Sequence, residues 1–193
     1  MQISFMTPQD TPCPVAVLAA QDHVASVYQS AYGATVRSFA PNLVVAQNHT
    51  GLITCVAGIR TARDGFFSDC YLERPFDAVL SDCGHGPVGP GKVLEVVSMA
   101  ATSPFPVLPV LDAIIGWGRE RGMEWGVFTA TAPLRRLLGR AGMAHVMLAP
   151  ARLDRVTNPG DWGSYYDSDP WVCAFGDRLP PQPVTLDPRR KVS

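Results

Sequence analysis

The sequence predicts a single α/β domain with a mixed, twisted sheet and helices on both faces. The 193 residues are 47% hydrophobic and 17% charged, so the chain can bury a substantial core and is not disordered as a whole. Residues 43–60 hold two stretches rich in Val and Ile, joined by a turn, which predicts an antiparallel strand pair. Residues 92–142 follow the order strand, helix, strand, helix, which predicts strands linked by a covering helix.

The N-terminal part of the chain predicts one helix before the antiparallel pair. Residues 24–32 have apolar side chains at near-helical spacing, and Asp22 is a candidate N-cap. The two strands lie at residues 43–47 and 52–60, because the Asn and Gly of residues 48–51 suit a hairpin turn.

The middle of the chain predicts two short helical pieces and a loop. Residues 66–72 and 76–80 have helical patterns, separated at Pro75, whose ring disfavours helix in the preceding residue. Residues 81–91 contain four glycines and two prolines. A phosphate-binding loop links a strand to a helix, whereas this segment precedes a strand, so an ordinary loop is the favoured interpretation.

The second half of the chain supplies the remaining elements. Residues 92–100 form an apolar strand with one carboxylate, Glu95, and residues 107–120 carry a broad apolar helical face. A second strand over residues 125–131 precedes a basic helix over residues 134–142. Three shorter elements follow: a strand at 143–148, a helical turn at 151–156 and a last strand at 171–175.

Length, charge and cysteine content define the domain plan and exclude several classes of protein. We expect a domain over residues 21–178, an N-terminal tail or edge segment over 1–20 and a Pro-rich C-terminal tail over 179–193. A net charge of −1 without a basic stripe excludes nucleic acid. No membrane partner is expected, because no window approaches the ~18–20 apolar residues of a span. Five scattered cysteines and the lack of a leader sequence indicate the cytoplasm.

Several short motifs are distributed along most of the chain, from about residue 28 to 176: Tyr32-Gly33-Ala34, Phe39-Ala40-Pro41-Asn42-Leu43, Ala57-Gly58-Ile59-Arg60-Thr61-Ala62, Tyr71-Leu72, Glu95-Val96, Phe128-Thr129-Ala130-Thr131, Leu134-Arg135 and Trp162-Gly163-Ser164-Tyr165-Tyr166-Asp167. These motifs resemble the thermostable hemolysin family, which is named for a haemolytic activity but has an acyltransferase-like fold. The segment 92–142 itself resembles the thioester-binding half of Gcn5-related N-acyltransferases. Acyl-homoserine-lactone synthases offer a fainter match at Arg60, Glu95 and Ser98.

The resemblance implies a V-shaped opening between the strands of Glu95 and Thr129, where an acyl group passes from a pantetheine thioester to the amine of a small metabolite. The sequence departs from the usual acyltransferase pattern at two places. The turn at residues 101–107 has two prolines and no glycine, so its backbone offers few N–H groups to a pyrophosphate. A carrier-protein donor is therefore at least as well favoured as coenzyme A, and no tightly bound cofactor is expected. Leu138 stands where many acyltransferases have a Tyr acid.

Glu95 is the first candidate for chemistry, because a lone carboxylate in an apolar strand needs a partner or a function. It is either the base for the amine or a structural group paired with Arg60 or Arg63. Ser98 would lie on the opposite face of a regular strand. A bulge there would re-aim it and free backbone N–H groups at residues 97–99 to polarise the thioester carbonyl.

The resemblance implies a role for each of the remaining candidate residues. Thr129 and Thr131 share a face beside the pantetheine slot, although threonine is also common in strands. Tyr165 or Tyr166 is the candidate acid, unless these aromatics only pin a loop to the core. The thioester-binding set is Val97, Met99, Thr129, Thr131 and Arg135, and the acceptor-binding set is Arg60, Tyr71 and Trp162.

Two rival functions remain open. A cyclase or lyase on the same fold would explain the missing glycine turn and the missing tyrosine. A membrane-active protein would need an exposed basic amphipathic helix, and the only basic helix is short. No metal is expected, because the four histidines lack ligand spacing. The apolar surplus would suit a groove or a homodimer contact.

Overall fold

The computed structural model describes residues 1–10, 13–83 and 86–176, which form a mixed α/β domain around one open sheet. The seven described strands run in the order β1-β2-β3-β4-β5-β7-β6. Their bounds are β1 Gln2–Met6, β2 Asn42–Gln47, β3 Ile53–Thr61, β4 Val93–Ala101, β5 Trp125–Ala130, β6 Val146–Pro150 and β7 Trp171–Gly176.

The sheet is mixed, as the sequence predicts. Strands β1 to β4 pair antiparallel, and β5, β7 and β6 also pair antiparallel. The central pair, β4 and β5, is parallel. A helix connects these two strands, because a parallel pair needs a long crossover. The predicted hairpin of β2 and β3 and the predicted strand–helix–strand unit are both confirmed.

Helices cover both faces of the sheet. Alternate residues of β2 show this: Leu43 and Val45 pack with α1 (Pro14–Tyr32), whereas Val44 and Ala46 pack in the cluster of α3 (Val107–Glu120). Two further helices are α2 (Phe76–Cys83) and α4 (Ala132–Arg140). Leu80 of α2 packs in a third cluster with Val93 and Trp125, and Leu138 of α4 packs in the α3 cluster.

The first helix differs from the prediction. It begins at Pro14, ten residues before the predicted start at 24, and it runs for 19 residues. Proline suits the first turn of a helix. Val15 and Leu18 are 73% and 58% exposed, so apolar residues on the outer face obscured the amphipathic period of these first turns.

The ends of the chain bear on the predicted domain plan. Residues 1–20 contain β1, which pairs with β2 at the edge of the sheet, and the first turns of α1. The tail predicted at 179–193 lies outside the described residues. The domain bounds therefore stay a prediction.

Candidate active site

A cavity opens where the two parallel strands separate. Pairing between β4 and β5 ends at Val96 and Phe128, although β4 continues to Ala101 and β5 to Ala130. The cavity between them measures about 770 Å³. Its lining comes from α1 on one face and from α3 and α4 on the other, so it passes through the sheet.

The wall of the cavity on β4 contains the predicted bulge. The β3 pairing shifts between Val56–Ala100 and Gly58–Val97, which places one extra residue in β4. Ser98 has φ +50°, in the left-handed region. Because β4 has left its pairing with β5 at this point, the backbone of residues 97–99 borders the cavity, and all three residues line it.

The Glu95 carboxylate lies next to this wall and is completely buried. Its two oxygens accept hydrogen bonds from the backbone N–H groups of Phe67 (2.7 Å) and Ser68 (2.8 Å). Burial raises the pKa of Glu95, and the Ser68 hydroxyl and the two N–H groups oppose that rise. The hydrogen bonds that the buried Glu95 carboxylate needs are therefore provided by the 3₁₀ helix Phe67–Tyr71. Glu95 is not part of the cavity lining.

The predicted arginine partners do not pair with Glu95. Arg60 lies opposite Glu95 in β3, but its guanidinium donates to the carbonyl of Asp64 at 3.2 Å and to that of Gly65 at 3.5 Å. No salt bridge joins Glu95 to Arg60 or to Arg63, all three of which the structure describes. The positive charge of Arg60 nevertheless lowers the pKa of Glu95.

Two neighbouring hydroxyl groups lie on the cavity wall beside Glu95. Ser68 Oγ and Thr129 Oγ1 are 2.8 Å apart and share a hydrogen bond, and both residues line the cavity. Ser68 is 1% exposed and comes from the 3₁₀ helix, whereas Thr129 comes from β5. Sequence reasoning missed Ser68, because a 3₁₀ helix has no periodicity that would single out one serine.

A second hydroxyl pair lies on the α1 side. Thr131 precedes α4 as its N-cap residue, and its hydroxyl lowers the pKa of the Tyr32 phenol at the end of α1. Both residues line the cavity. Burial raises the pKa of Tyr32, so its phenol keeps its proton at neutral pH. Tyr32 belongs to one of the motifs that resemble the family, but the sequence alone predicts no role for it.

Aromatic side chains form one end of the cavity. Trp162, Tyr165 and Phe67 line it, with the Trp162 ring centroid 5.4 Å from Tyr165 and 5.7 Å from Phe67. Tyr71 also lines the cavity, and its hydroxyl meets that of Tyr166 at 2.6 Å. Burial raises the pKa of Tyr166 to about 12 and that of Tyr71 further. Tyr166 itself is not part of the lining.

Two of the arginines around the cavity form ion pairs. Arg37 makes a two-point contact with the Asp161 carboxylate at 2.6 and 2.8 Å on the cavity wall, and this guanidinium lowers the pKa of Asp161. Arg135 donates to the carbonyls of Ala130 and Asp169 and to the Asp169 carboxylate. Arg135 is absent from the lining, so its contacts in this structure fix the end of β5 to the segment before β7.

The turn after β4 reaches the cavity but has few N–H donors. Thr102, Ser103 and Pro104 contribute to the lining, and α3 begins at Val107 after the N-cap residue Pro106. Neither proline has a backbone N–H, and no side chain caps this helix. Weak binding of a pyrophosphate at this turn stays a prediction.

The structure brings most of the predicted site residues together around one cavity. Within it, the predicted residues that form the lining are Val97, Ser98, Met99, Thr129, Thr131, Arg60, Tyr71, Trp162 and Tyr165. Those behind the lining or apart from it are Glu95, Arg135 and Tyr166. Within the described ranges, no group of three or more His, Cys, Asp or Glu side chains could hold a metal ion. In the same ranges, no helix has the length and apolar content to cross a membrane.

Comparisons with known proteins agree with the family and the fold. A family model described as thermostable hemolysin matches residues 12–178. The structure is similar to TofI in a ternary complex with an inhibitor and MTA, with a TM-score of 0.63, 15% identity and 91% of each chain covered. It is similar to the AHL synthase LasI, with a TM-score of 0.62, 12% identity and coverage of 91% and 89% of the respective chains.

A third similar structure is FeeM, an N-acyl amino acid synthase from uncultured soil microbes. Its TM-score is 0.60 at 14% identity, and the match covers 91% of this chain and 92% of that one. No curated protein sequence matches the chain. At such low identity these structures show a shared acyltransferase-type fold and leave the reaction to be argued from the site.

Proposed function

The chain belongs to the thermostable hemolysin family, and from its cavity we propose that it is an N-acyltransferase. The reaction moves an acyl group from a pantetheine thioester to the amine of a small metabolite. One observation carries the proposal: a cavity of about 770 Å³ opens at the separation of β4 and β5, directly beside the β4 bulge and close to a buried carboxylate.

The bulge supports a role in holding the thioester carbonyl. As a tetrahedral intermediate forms, negative charge develops on the carbonyl oxygen, and fixed backbone N–H groups stabilise that charge. The backbone of residues 97–99 borders the cavity on the side that β5 has left. Thr129 and Thr131 line the same opening, and Thr131 is suited to hydrogen-bond the pantetheine arm.

An apolar lining on the α3 and α4 side supports binding of the acyl chain. The residues of this part of the lining are Val107, Leu111, Phe128, Leu134, Leu137 and Leu138. They surround the cavity where it leaves the sheet, and burial of a chain there gains about 0.8 kcal/mol for each CH₂ group. The donor is proposed to be an acyl carrier protein or coenzyme A, and the proline-containing turn favours the carrier protein.

The aromatic end is the proposed acceptor site. Trp162 and Tyr71 offer flat apolar surfaces, and Arg60 offers guanidinium N–H groups to a carboxylate of the acceptor. An amine that also has a carboxylate, such as an amino acid, suits this combination. The FeeM structure supports the choice of acceptor, because that protein is an N-acyl amino acid synthase of the same fold.

The departing thiolate needs a proton, and Tyr32 is our preferred donor. Its phenol reaches the Thr131 hydroxyl inside the cavity and stays protonated because burial raises its pKa. Tyr165 lines the same cavity and is the alternative. The hydroxyl of Tyr166 shares a hydrogen bond with that of Tyr71, and Tyr166 is not part of the lining, which makes Tyr166 the least favoured of the three.

The proposal is tested by mass spectrometry of the purified protein with octanoyl-carrier protein and, separately, octanoyl-coenzyme A, each offered with a panel of amino acids. We expect an N-acyl amino acid product and release of free thiol. Transfer from the carrier protein alone would identify the donor. Consumption of a substrate without a product that gains the acyl mass would contradict the proposal in favour of a cyclase or lyase. Leakage of liposomes without acyl transfer would favour a membrane-active protein.

The cellular setting is part of the proposal. We place the enzyme in the cytoplasm, where acyl carriers are made and used, and the five unpaired cysteines support a reducing compartment. A homodimer remains a prediction, which the elution volume of the purified protein would test.

A further inference from the structure

The buried carboxylate and the cavity are joined by a short chain of hydroxyl groups. Glu95 is 0% exposed, and its oxygens already accept two backbone N–H groups. The Ser68 hydroxyl lowers the pKa of this carboxylate, and the N–H of the same residue holds Ser68 against Glu95 at 2.8 Å. Ser68 Oγ is in turn 2.8 Å from Thr129 Oγ1, and Thr129 lines the cavity where β5 leaves β4.

We propose that Ser68 and Thr129 form a proton relay that carries the proton of the attacking amine to Glu95. The relay rests on the proposed acyl transfer. A hydroxyl group can pass a proton, because its oxygen accepts one hydrogen bond while its own hydrogen donates another. The backbone N–H groups of Phe67 and Ser68 that contact Glu95 can only donate hydrogen bonds. The hydroxyl groups of Ser68 and Thr129 are therefore the route for a proton that the described contacts provide.

In the proposed step the acceptor reacts as a neutral amine. The nitrogen lone pair forms the C–N bond at the thioester carbonyl carbon, and the N–H proton passes to Thr129 Oγ1. The Thr129 proton moves to Ser68 Oγ, and the Ser68 proton moves to the Glu95 carboxylate. The C–S bond then breaks with its electron pair on sulfur, and the thiolate takes a proton from Tyr32.

The enzyme returns to its starting state through solvent. After the product leaves, Glu95 releases its proton to water along the same two hydroxyls, and Tyr32 regains a proton from water. In this scheme Thr129 touches the reacting amine, whereas Ser68 acts through its neighbours as a positioning and relay residue.

Kinetics of matched variants test the relay with the donor and acceptor that the wild-type protein uses. Thr129→Val keeps the shape of the side chain but removes its hydroxyl, and Thr129→Ser keeps the hydroxyl. We expect Thr129→Val and Ser68→Ala to lower kcat by about 10²-fold, the usual range for proton transfer, with KM changed by less than about threefold. Thr129→Ser should restore most of the rate. Ser4→Ala, on the edge strand β1, is the control for a serine deletion.

The double variant gives the second readout. If Ser68 and Thr129 act in one chain, the combination of Ser68→Ala and Thr129→Val is no slower than the slower single variant. Thermal unfolding of each variant, measured by circular dichroism, separates slow catalysis from loss of the fold.

The outcomes that contradict the relay differ from those that contradict the transferase. A folded Thr129→Val with the wild-type kcat overturns the relay and leaves acyl transfer intact. Rates of Thr129→Ser as low as those of Thr129→Val, or multiplying losses in the double variant, also overturn it. Absence of transfer by the wild-type protein overturns the proposed function, and the relay with it.

Discussion

The Glu95 carboxylate is completely buried and accepts two backbone hydrogen bonds, and its burial raises its pKa. A carboxylate inside an apolar strand must be partnered when it is buried, and this physical rule selected Glu95 from the sequence alone. The partner could not be selected in the same way. The strand pattern suggested an arginine, whereas the structure provides two backbone N–H groups of the 3₁₀ helix Phe67–Tyr71. Every residue has a backbone N–H, so sequence gives no signal for such a partner.

The variant Glu95→Gln tests whether the Glu95 carboxylate is the base for the amine. Both carboxylate oxygens accept an N–H, but a glutamine has only one oxygen and would turn its NH₂ toward the second donor. Leaving that buried donor unpaired costs about 1–3 kcal/mol. At neutral pH, relief of the burial penalty on the charge offsets part of this cost. We therefore expect acyl transfer to be lost while the variant still folds, which urea unfolding beside an activity assay would check. Full activity of the variant would rule out Glu95 as the base.

The second residue-scale prediction concerns the acid. Tyr32→Phe removes a hydroxyl but keeps the edge contact of the ring with Tyr165, at 5.2 Å between centroids. We expect kcat to fall by about 10²-fold with a pantetheine thiol as leaving group. The loss should shrink with an activated aryl thioester, because an acidic thiol leaves without a proton. Tyr165→Phe and Tyr166→Phe, assayed in parallel, show whether the loss is specific to Tyr32.

At the scale of elements, the site depends on contacts between segments that are distant in the sequence. The bulge in β4 could be expected from the resemblance, since the match at Glu95 and Ser98 falls on a strand in which such folds often have an extra residue. The docking of residues 158–168 could not be expected from the sequence. This segment is fixed to the end of α1 and to the residues that follow it by hydrogen bonds from Ser164 N–H to the Tyr32 carbonyl and from Thr35 N–H to the Asp161 carbonyl. Backbone contacts of this kind have no sequence pattern.

Gly163 allows this docking, and its substitution is the element-scale prediction. Its φ is +50°, and an added Cβ would lie 2.0 Å from the Tyr32 carbonyl oxygen. Gly163→Ala must therefore shift the segment, at a cost of about 1–3 kcal/mol from the backbone strain alone. We expect a lower unfolding temperature and altered fluorescence of Trp162. Gly160→Ala is the control, because its Cβ would meet nothing within 4 Å. Equal stability of the two variants would contradict the interpretation.

At the scale of the whole molecule, the fold was more predictable than its boundaries. The mixed sheet follows from a hairpin pattern and a strand–helix–strand pattern, both of which depend on local periodicity. Boundaries depend on tertiary contacts: β6 begins at Val146 rather than at 143, because the Met143 N–H instead bonds the Leu138 carbonyl and completes the end of α4. The hydroxyl chain at the cavity joins a 3₁₀ helix to a strand, and only the assembled fold brings such groups together.

The tyrosines provide a prediction for the molecule as a whole. All five tyrosines of the chain have a pKa raised by burial, four of them to well above the ordinary value near 10. The unfolded chain therefore loses tyrosine protons at a lower pH than the folded protein does. Stability from these groups is complete below pH ~10 and falls as pH rises further, by up to about 1.4 kcal/mol per pH unit for each proton concerned.

Alkaline unfolding should therefore be cooperative with tyrosine ionisation. A titration from pH 8 to 13, followed by tyrosinate absorbance at 295 nm and by circular dichroism, should give coincident transitions, because the rings ionise mainly when the core around Tyr28 and Tyr165 opens. Partly exposed Tyr32 is expected to ionise first. The same titration in 6 M guanidinium should show all the tyrosines ionising near pH 10. Complete ionisation while the circular dichroism stays native would mean that water reaches these phenols, and that the aromatic end of the cavity is open.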